Sequence, residues 1–239
     1  LLSYLSYMSY DGIVGDSFEG EGVRLADAAQ ELLDRNERDK MPLAYNAKED
    51  RKLLAALIQS VRFADMRLVG YVNQVDDKAE EQFSGVTFLI GDGSAFVAFR
   101  GTDDAMVGWK EDFNMGFLPI VPSQREAADY LRAAAAAFPS QKLRAGGHSK
   151  GGNLSVYAAV KAPAAVQDRI VQVYNNDGPG FCAGAVDEAG YEAVRGRIHT
   201  FVPQSSVVGM LLDHEEDYTV VRSDQSGLFQ HSPFSWQIL

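Results

Sequence analysis

One short stretch, Leu143-Arg-Ala-Gly-Gly-His-Ser-Lys-Gly-Gly-Asn-Leu154, restricts the folds open to this chain more than any other. A short run at 142–145 leads into a glycine pair. Ser149 then stands alone between Gly147 and Gly151, and an alanine-rich helical stretch follows. G-x-S-x-G between a strand and a helix predicts a sharp, strained turn that lifts the serine hydroxyl clear of the backbone above a helix N-terminus. The glycines two residues to either side leave room for neighbouring chain. The same string also fits a plain glycine-rich turn whose serine only caps the helix, so the rest of the chain has to decide between the two.

Apolar spacing divides the chain. Leu25, Ala28, Ala29, Leu32 and Leu33, then Leu53, Leu54, Leu57, Ile58 and Val61, recur at helical intervals, which predicts a helical region over residues 1 to about 65. A loop carrying Pro42 interrupts it, and Leu1 to Met8 reads as an amphipathic helix. Segments 67–75, 83–90 and 95–100 are rich in Val, Phe, Ile and Tyr, and Gly91-Asp92-Gly93 marks a hairpin, so antiparallel strands are expected here. A helix over 123–138 follows. Strands at 142–145, 169–174, 197–202 and 218–221 then alternate with helices at 150–161 and 186–194, and 236–239 closes an edge. The expected architecture is one α/β domain over 1–239. Its sheet is mostly parallel behind antiparallel leading strands, helices cover both faces, and 1–65 forms a helical cap on a sheet-containing core over 66–239.

Composition removes several functions. A net charge of −11 argues against a nucleic-acid groove or an anionic membrane surface. One cysteine allows no internal disulfide, and four scattered histidines show no metal-ligand spacing, so neither metal nor cofactor is expected. No apolar run approaches the ~20 residues of a membrane-spanning helix, so no stable membrane insertion is expected. The first residues lack the basic start and cleavage site of a signal peptide, and the cytoplasm is the default compartment. No feature specifies an oligomeric state.

A nucleophilic serine needs a base, an acid that orients the base, and donors for the oxyanion. Downstream of Ser149 stand His199, His214 and His231. His199 lies mid-strand, His214 lies in the charged turn Asp213-His-Glu-Glu-Asp217 and is expected to be solvated, and His231 lies in a late loop, where the base is required. For the acid, Asp177 directly follows a strand in Tyr174-Asn-Asn-Asp-Gly-Pro-Gly180, although a turn there also favours Asp for local backbone bonds. Asp213 sits among like charges, and Asp224 sits in a loop near His231. Upstream, Phe96-Val-Ala-Phe-Arg-Gly-Thr102 ends a strand in a turn. A donor there would pair with the backbone N–H of Lys150.

With Val97-Ala-Phe-Arg-Gly-Thr102, Trp109-x-x-Asp112 and Gly147-His-Ser-Lys-Gly-Gly152 in this order, the chain resembles the fungal-lipase-like (class 3 lipase) α/β-hydrolases over residues 95–231. The tyrosine-rich start and Asn-Asp-Gly-Pro-Gly-Phe are similar to a bacterial branch of them. The resemblance implies that Ser149 is the nucleophile, that His231 is the base, and that Thr102 donates to the oxyanion with the Lys150 amide. It also puts a lid at 103–122, where Met106, Trp109 and Phe117 either cover an acyl chain or pack as core. Two departures stand out. Lipases of this family carry their acid after the penultimate strand, where this chain has Ser205 and Ser206 in Phe201-Val-Pro-Gln-Ser-Ser-Val-Val208. Lys150 replaces the usual leucine, and would either lie at the pocket mouth, favouring an anionic or polar substrate, or be solvated.

The implied activity is hydrolysis of a carboxylic ester or lipid-like acyl substrate through an acyl-enzyme, with Asp177 as the relocated acid. Transfer of the acyl group to an acceptor other than water would use the same residues. Because the usual acid position holds serine, a catalytically silent binding module is the alternative.

Overall fold

The structure, a computed structural model, describes residues 1–44, 46–76, 78, 81–102, 106–214 and 216–237, and at 106, 107, 109 and 113 the main chain alone. The first half runs α1 (Leu2–Leu5), β1 (Val23–Arg24), α2 (Leu25–Arg38), α3 (Ala47–Ile58), β2 (Arg67–Asp76), β3 (Glu81–Leu89), β4 (Ser94–Phe99), α4 (Met106–Asn114) and α5 (Pro122–Ala137). The second half runs β5 (Lys142–His148), α6 (Lys150–Val160), α7 (Ala164–Gln167), β6 (Ile170–Asn176), α8 (Glu188–Arg195), β7 (Ile198–Pro203) and β8 (Tyr218–Val221). Three short 3₁₀ segments, at Val208–Met210, Gly227–His231 and Pro233–Ser235, follow β7 or β8. The eight strands form one sheet in sequential order. Pairing is antiparallel from β1 to β4 and parallel from β4 to β8.

Strand alternation divides the core between the two faces. In β4, Ala95, Val97 and Phe99 join a cluster with Leu131, Leu154, Tyr191 and other residues of α5, α6 and α8. Phe96 and Ala98 point the other way, to a cluster with Leu5, Leu25, Leu32 and Leu54 from α1, α2 and α3. Every residue of β4 is therefore buried, as a central strand covered on both faces requires. Helix ends follow local chemistry. Asn46 and Asp187 cap α3 and α8 by accepting from the N–H groups of Glu49 (3.2 Å) and Gly190 (2.8 Å), and Pro122 begins α5.

The N-terminal region departs from the helical reading. The expected amphipathic helix is a single turn, because Tyr4, Leu5, Tyr7, Met8 and Tyr10 are all buried and leave no solvent face. Their hydroxyls find partners instead. Tyr4 donates to Asp50 Oδ1 at 2.7 Å, and Tyr10 donates to the Leu5 carbonyl at 3.0 Å. Asp50, fully buried, also accepts from the N–H groups of Ala44 and Asn46, so one carboxylate ties α3 to the N-terminal segment. Residues 23–24 form an edge strand, not part of a helix. At the other end, Trp236 makes one antiparallel bridge to Ser223, while 238 and 239 lie outside the described residues.

Candidate active site

Parallel pairing of β5 with β4 and β6 continues to Gly147 and His148, three residues past the expected strand end, and delivers Ser149 at the carboxyl edge of the sheet. Ser149 has φ 57° and ψ −134°, a conformation that a non-glycine residue adopts only where its surroundings enforce it. Here its N–H donates to the Asn176 carbonyl at 3.0 Å, and its own carbonyl accepts from Gly152 N–H at 2.8 Å. The flanking glycines are obligatory. A Cβ at Gly147 would lie 2.1 Å from the carbonyl carbon of Gly151, and one at Gly151 would lie 2.2 Å from the Phe99 carbonyl oxygen.

His231 ends a 3₁₀ turn in the loop after β8, and Asp177 directly follows β6. They are brought together, with His231 Nδ1 2.6 Å from Asp177 Oδ2. Asp177 is fully buried and has φ 54°. The local turn bond belongs to its neighbour Asn175, whose Oδ1 accepts from Gly178 N–H at 2.9 Å. That leaves Asp177 to receive His231 and the hydroxyl of Ser206, which donates to Oδ1. Ser206, which follows β7, thus bonds to the aspartate that follows β6. The other candidates stand apart: His199 is exposed on β7, Asp224 is exposed, and Asp213 pairs with Phe181 through main-chain bonds.

Thr102 turns its hydroxyl onto Asp112 Oδ2 at 2.5 Å. Burial raises the Asp112 carboxyl above its ordinary value, against the opposing Lys150 charge and the Thr102 hydrogen bond. Lys150 is neither at the pocket mouth nor solvated. Its side chain is 1% exposed, and Nζ donates to Glu111 Oε2 at 2.8 Å and to the Gln82 carbonyl at 2.9 Å. Glu111 also accepts from Gln82 N–H and Ser123 N–H. An ammonium beside a buried carboxylate escapes the cost of an unpaired charge, which is why it turns inward. Glu111 and Asp112 both lie on α4, a helix within the stretch read as a lid.

Ser149, His231, Thr102, Asp112 and Lys150 line one cavity of about 630 Å³. The rest of its wall includes Met115, Phe117, Leu212 and Leu228. Phe117, Leu228 and Phe229 are 71%, 67% and 76% exposed, so the mouth has an apolar rim. The side chains of Met106 and Trp109 lie outside the described residues. Among the described residues, no group of three or more His, Cys, Asp or Glu is placed to hold a metal, and no helix is long and apolar enough to cross a membrane.

Two further histidines lie inside the fold. His214 is not solvated: its side chain is 11% exposed, with Nδ1 3.3 Å from Glu216 Oε1. Burial pushes Glu216 upward, but hydrogen bonds from His214, Thr200 and Tyr191 prevail and hold it down to about 2. His148 occupies the variable position before the nucleophile in the motif. It is buried beneath the His231 ring, with centroids 4.4 Å apart, and burial followed by the nearby His231 charge pushes it down to about 3.

Both shifts carry a sign. His148 folds neutral, so its contribution to stability is complete above its ordinary value of 6.5 and is lost as pH falls toward 3. Glu216 folds ionised, so its contribution is complete above 4.5 and is lost as pH falls through about 2. Between pH 6.5 and 4.5 only the first acts, at about 1.4 kcal/mol per pH unit. Urea unfolding of His148→Gln should therefore show a flatter fall from pH 6.5 to 4.5 than wild type. Parallel curves would contradict the buried neutral imidazole.

No curated protein matches the chain in sequence. Among solved structures it is similar to a mutant form of MDLA from Penicillium cyclopium, at 12% identity over 99% of this chain and 81% of that one, with TM-score 0.51. It is similar to a fungal lipase at 9% identity over the same shares, TM-score 0.50. A third likeness is to M37 lipase, at 15% identity over 87% of this chain and 66% of that one, TM-score 0.50. The chain spans 57% of the length of the Rhizomucor miehei lipase propeptide complexes that it also matches. At these identities the likeness concerns the fold, which is the α/β-hydrolase fold. Residues 57–239 match the family model described as Mbeg1-like, and the chain belongs to that family.

Proposed function

We propose that the protein is a serine hydrolase acting on a carboxylic ester with an apolar acyl group. The reading is carried by the 2.6 Å contact between the buried Asp177 and Nδ1 of His231, which lines the same cavity as the elbow serine. Asp177 holds the imidazole in the tautomer with a proton on Nδ1, leaving Nε2 to accept one. Ser149 Oγ attacks the carbonyl carbon as its proton passes to Nε2. The tetrahedral oxyanion receives the main-chain N–H of Lys150 and that of Thr102, whose hydroxyl is committed to Asp112. Collapse expels the alcohol, which takes the proton from His231, and leaves an acyl-enzyme. Water, activated by His231, then releases the acid and restores Ser149.

The apolar rim favours an uncharged acyl chain, with Phe117 and Leu228 beside it. The buried Lys150 offers no charge to an anionic substrate. Asp177 beside His231 supports the hydrolase over a binding module, the alternative that a serine at the usual acid position raises. Hydrolysis of p-nitrophenyl esters of graded acyl length tests the proposal. Wild type should turn them over, and Ser149→Ala should lose turnover by on the order of 10⁶-fold. Equal rates from both proteins would refute it.

A further inference from the structure

Residues 1–56 lie outside the stretch matched by the family model, yet the N-terminal segment reaches the site. Tyr7 and Tyr4 both line its cavity. The Tyr7 hydroxyl is 3.0 Å from His148 Nδ1 and 3.2 Å from the His148 carbonyl oxygen. It also fills the space above Gly101, where a Cβ would meet Tyr7 Oη at 2.1 Å. On the far side of the imidazole, His148 Nε2 is 2.7 Å from the main-chain carbonyl oxygen of His231. A carbonyl only accepts, so Nε2 carries the proton. In a neutral ring Nδ1 is then bare and accepts from Tyr7. Burial keeps the ring neutral, as shown above. The Tyr7 hydroxyl thus faces two acceptors of His148, its bare Nδ1 and its carbonyl, while Nε2 donates to the loop.

The loop that receives this bond is also tied within itself on either side of the base, Ser232 N–H donating to the Phe229 carbonyl at 3.4 Å and the Ser235 hydroxyl to the Ser232 carbonyl at 2.7 Å. Gln230 accepts at its carbonyl from Trp236 Nε1 at 2.8 Å and at its side chain from Ser205 N–H at 3.1 Å. The next carbonyl, that of His231, is held by His148. Tyr4 adds an edge contact to Phe234 at 4.6 Å, on the same loop. We infer that Tyr7 and His148 are positioning residues that hold the main chain and ring of His231, so that a segment outside the family match completes the active site. The inference rests on the hydrolase reading for its effect on rate, but not for its effect on the His231 ring.

The test uses the full chain with His148→Leu, His148→Gln and Tyr7→Phe, each checked by thermal melting. Gln retains an N–H near the Nε2 position, whereas Leu supplies none. His148→Leu should lower kcat by about tenfold to hundredfold with KM little changed, His148→Gln should recover most of that loss, and Tyr7→Phe should fall between. A wild-type kcat in His148→Leu, or equal losses in Leu and Gln, would overturn the inference. The second readout needs no turnover: ¹⁵N NMR of the His231 ring should show one tautomer, protonated on Nδ1, in wild type and His148→Gln, and a mixture in His148→Leu. A single tautomer in all three overturns the positioning role. Absence of turnover in wild type with that tautomer pattern intact would instead count against the hydrolase reading alone.

Discussion

Asp177→Asn is expected to lower kcat by about 10⁴-fold with little change in KM. An amide at this position presents either an N–H to an N–H or a neutral oxygen in place of the carboxylate, so the imidazole loses its tautomer lock and the partner of its charged form. Ser206→Ala should do far less. It removes one donor to a buried carboxylate, a hydrogen bond worth about 1.5–3 kcal/mol, and leaves His231 Nδ1 bonded. Steady-state kinetics of the two variants, with melting curves to show that both fold, separate the acid from its support. If Ser206→Ala proved as damaging as Asp177→Asn, or Asp177→Asn kept wild-type kcat, the acid assignment would fail.

The second large effect falls on stability. Lys150→Met strands the Glu111 carboxylate in the interior, which is expected to cost about 3–5 kcal/mol. Adding Glu111→Gln removes the stranded charge, so the double variant should regain a large part of that loss. Urea midpoints for the two single variants and the double close a thermodynamic cycle, and a coupling energy near zero would contradict the buried pair. The pair joins the residue after the nucleophile to α4, and α4 also carries the Asp112 that holds Thr102. Both proposed oxyanion donors therefore depend on one buried cluster. A singly substituted protein that still folds should also lose kcat.

What could be read from the residues alone follows from how local each determinant is. The Val- and Phe-rich run before Thr102, the Gly91-Asp92-Gly93 hairpin and the glycines around Ser149 are short-range, and the structure has strands, a turn and an elbow where they fall. Lys150 could not be placed, because the carboxylate that draws it inward is 39 residues away. His214 was misread for the opposite reason. Its neighbours are charged, but Glu216 folds back among Thr200 and Tyr191 and carries it inward. Asp177 competed with a turn reading until Asn175 proved to make the turn bond. The start of the chain is visibly tyrosine-rich, but apolar rings with hydroxyls do not reveal which buried acceptors they will meet. His148 was hidden in plain view, since a motif position marked x invites no question about its side chain.

These strands meet at Ser149, and covalent capture tests that most directly. A fluorophosphonate probe, followed by peptide mapping, should label wild type on Ser149 and leave Ser149→Ala unlabelled. Asp177→Asn should be labelled far more slowly than wild type, since the probe needs the activated hydroxyl. Labelling of wild type and Ser149→Ala to the same extent, or attachment at another residue, would contradict the account.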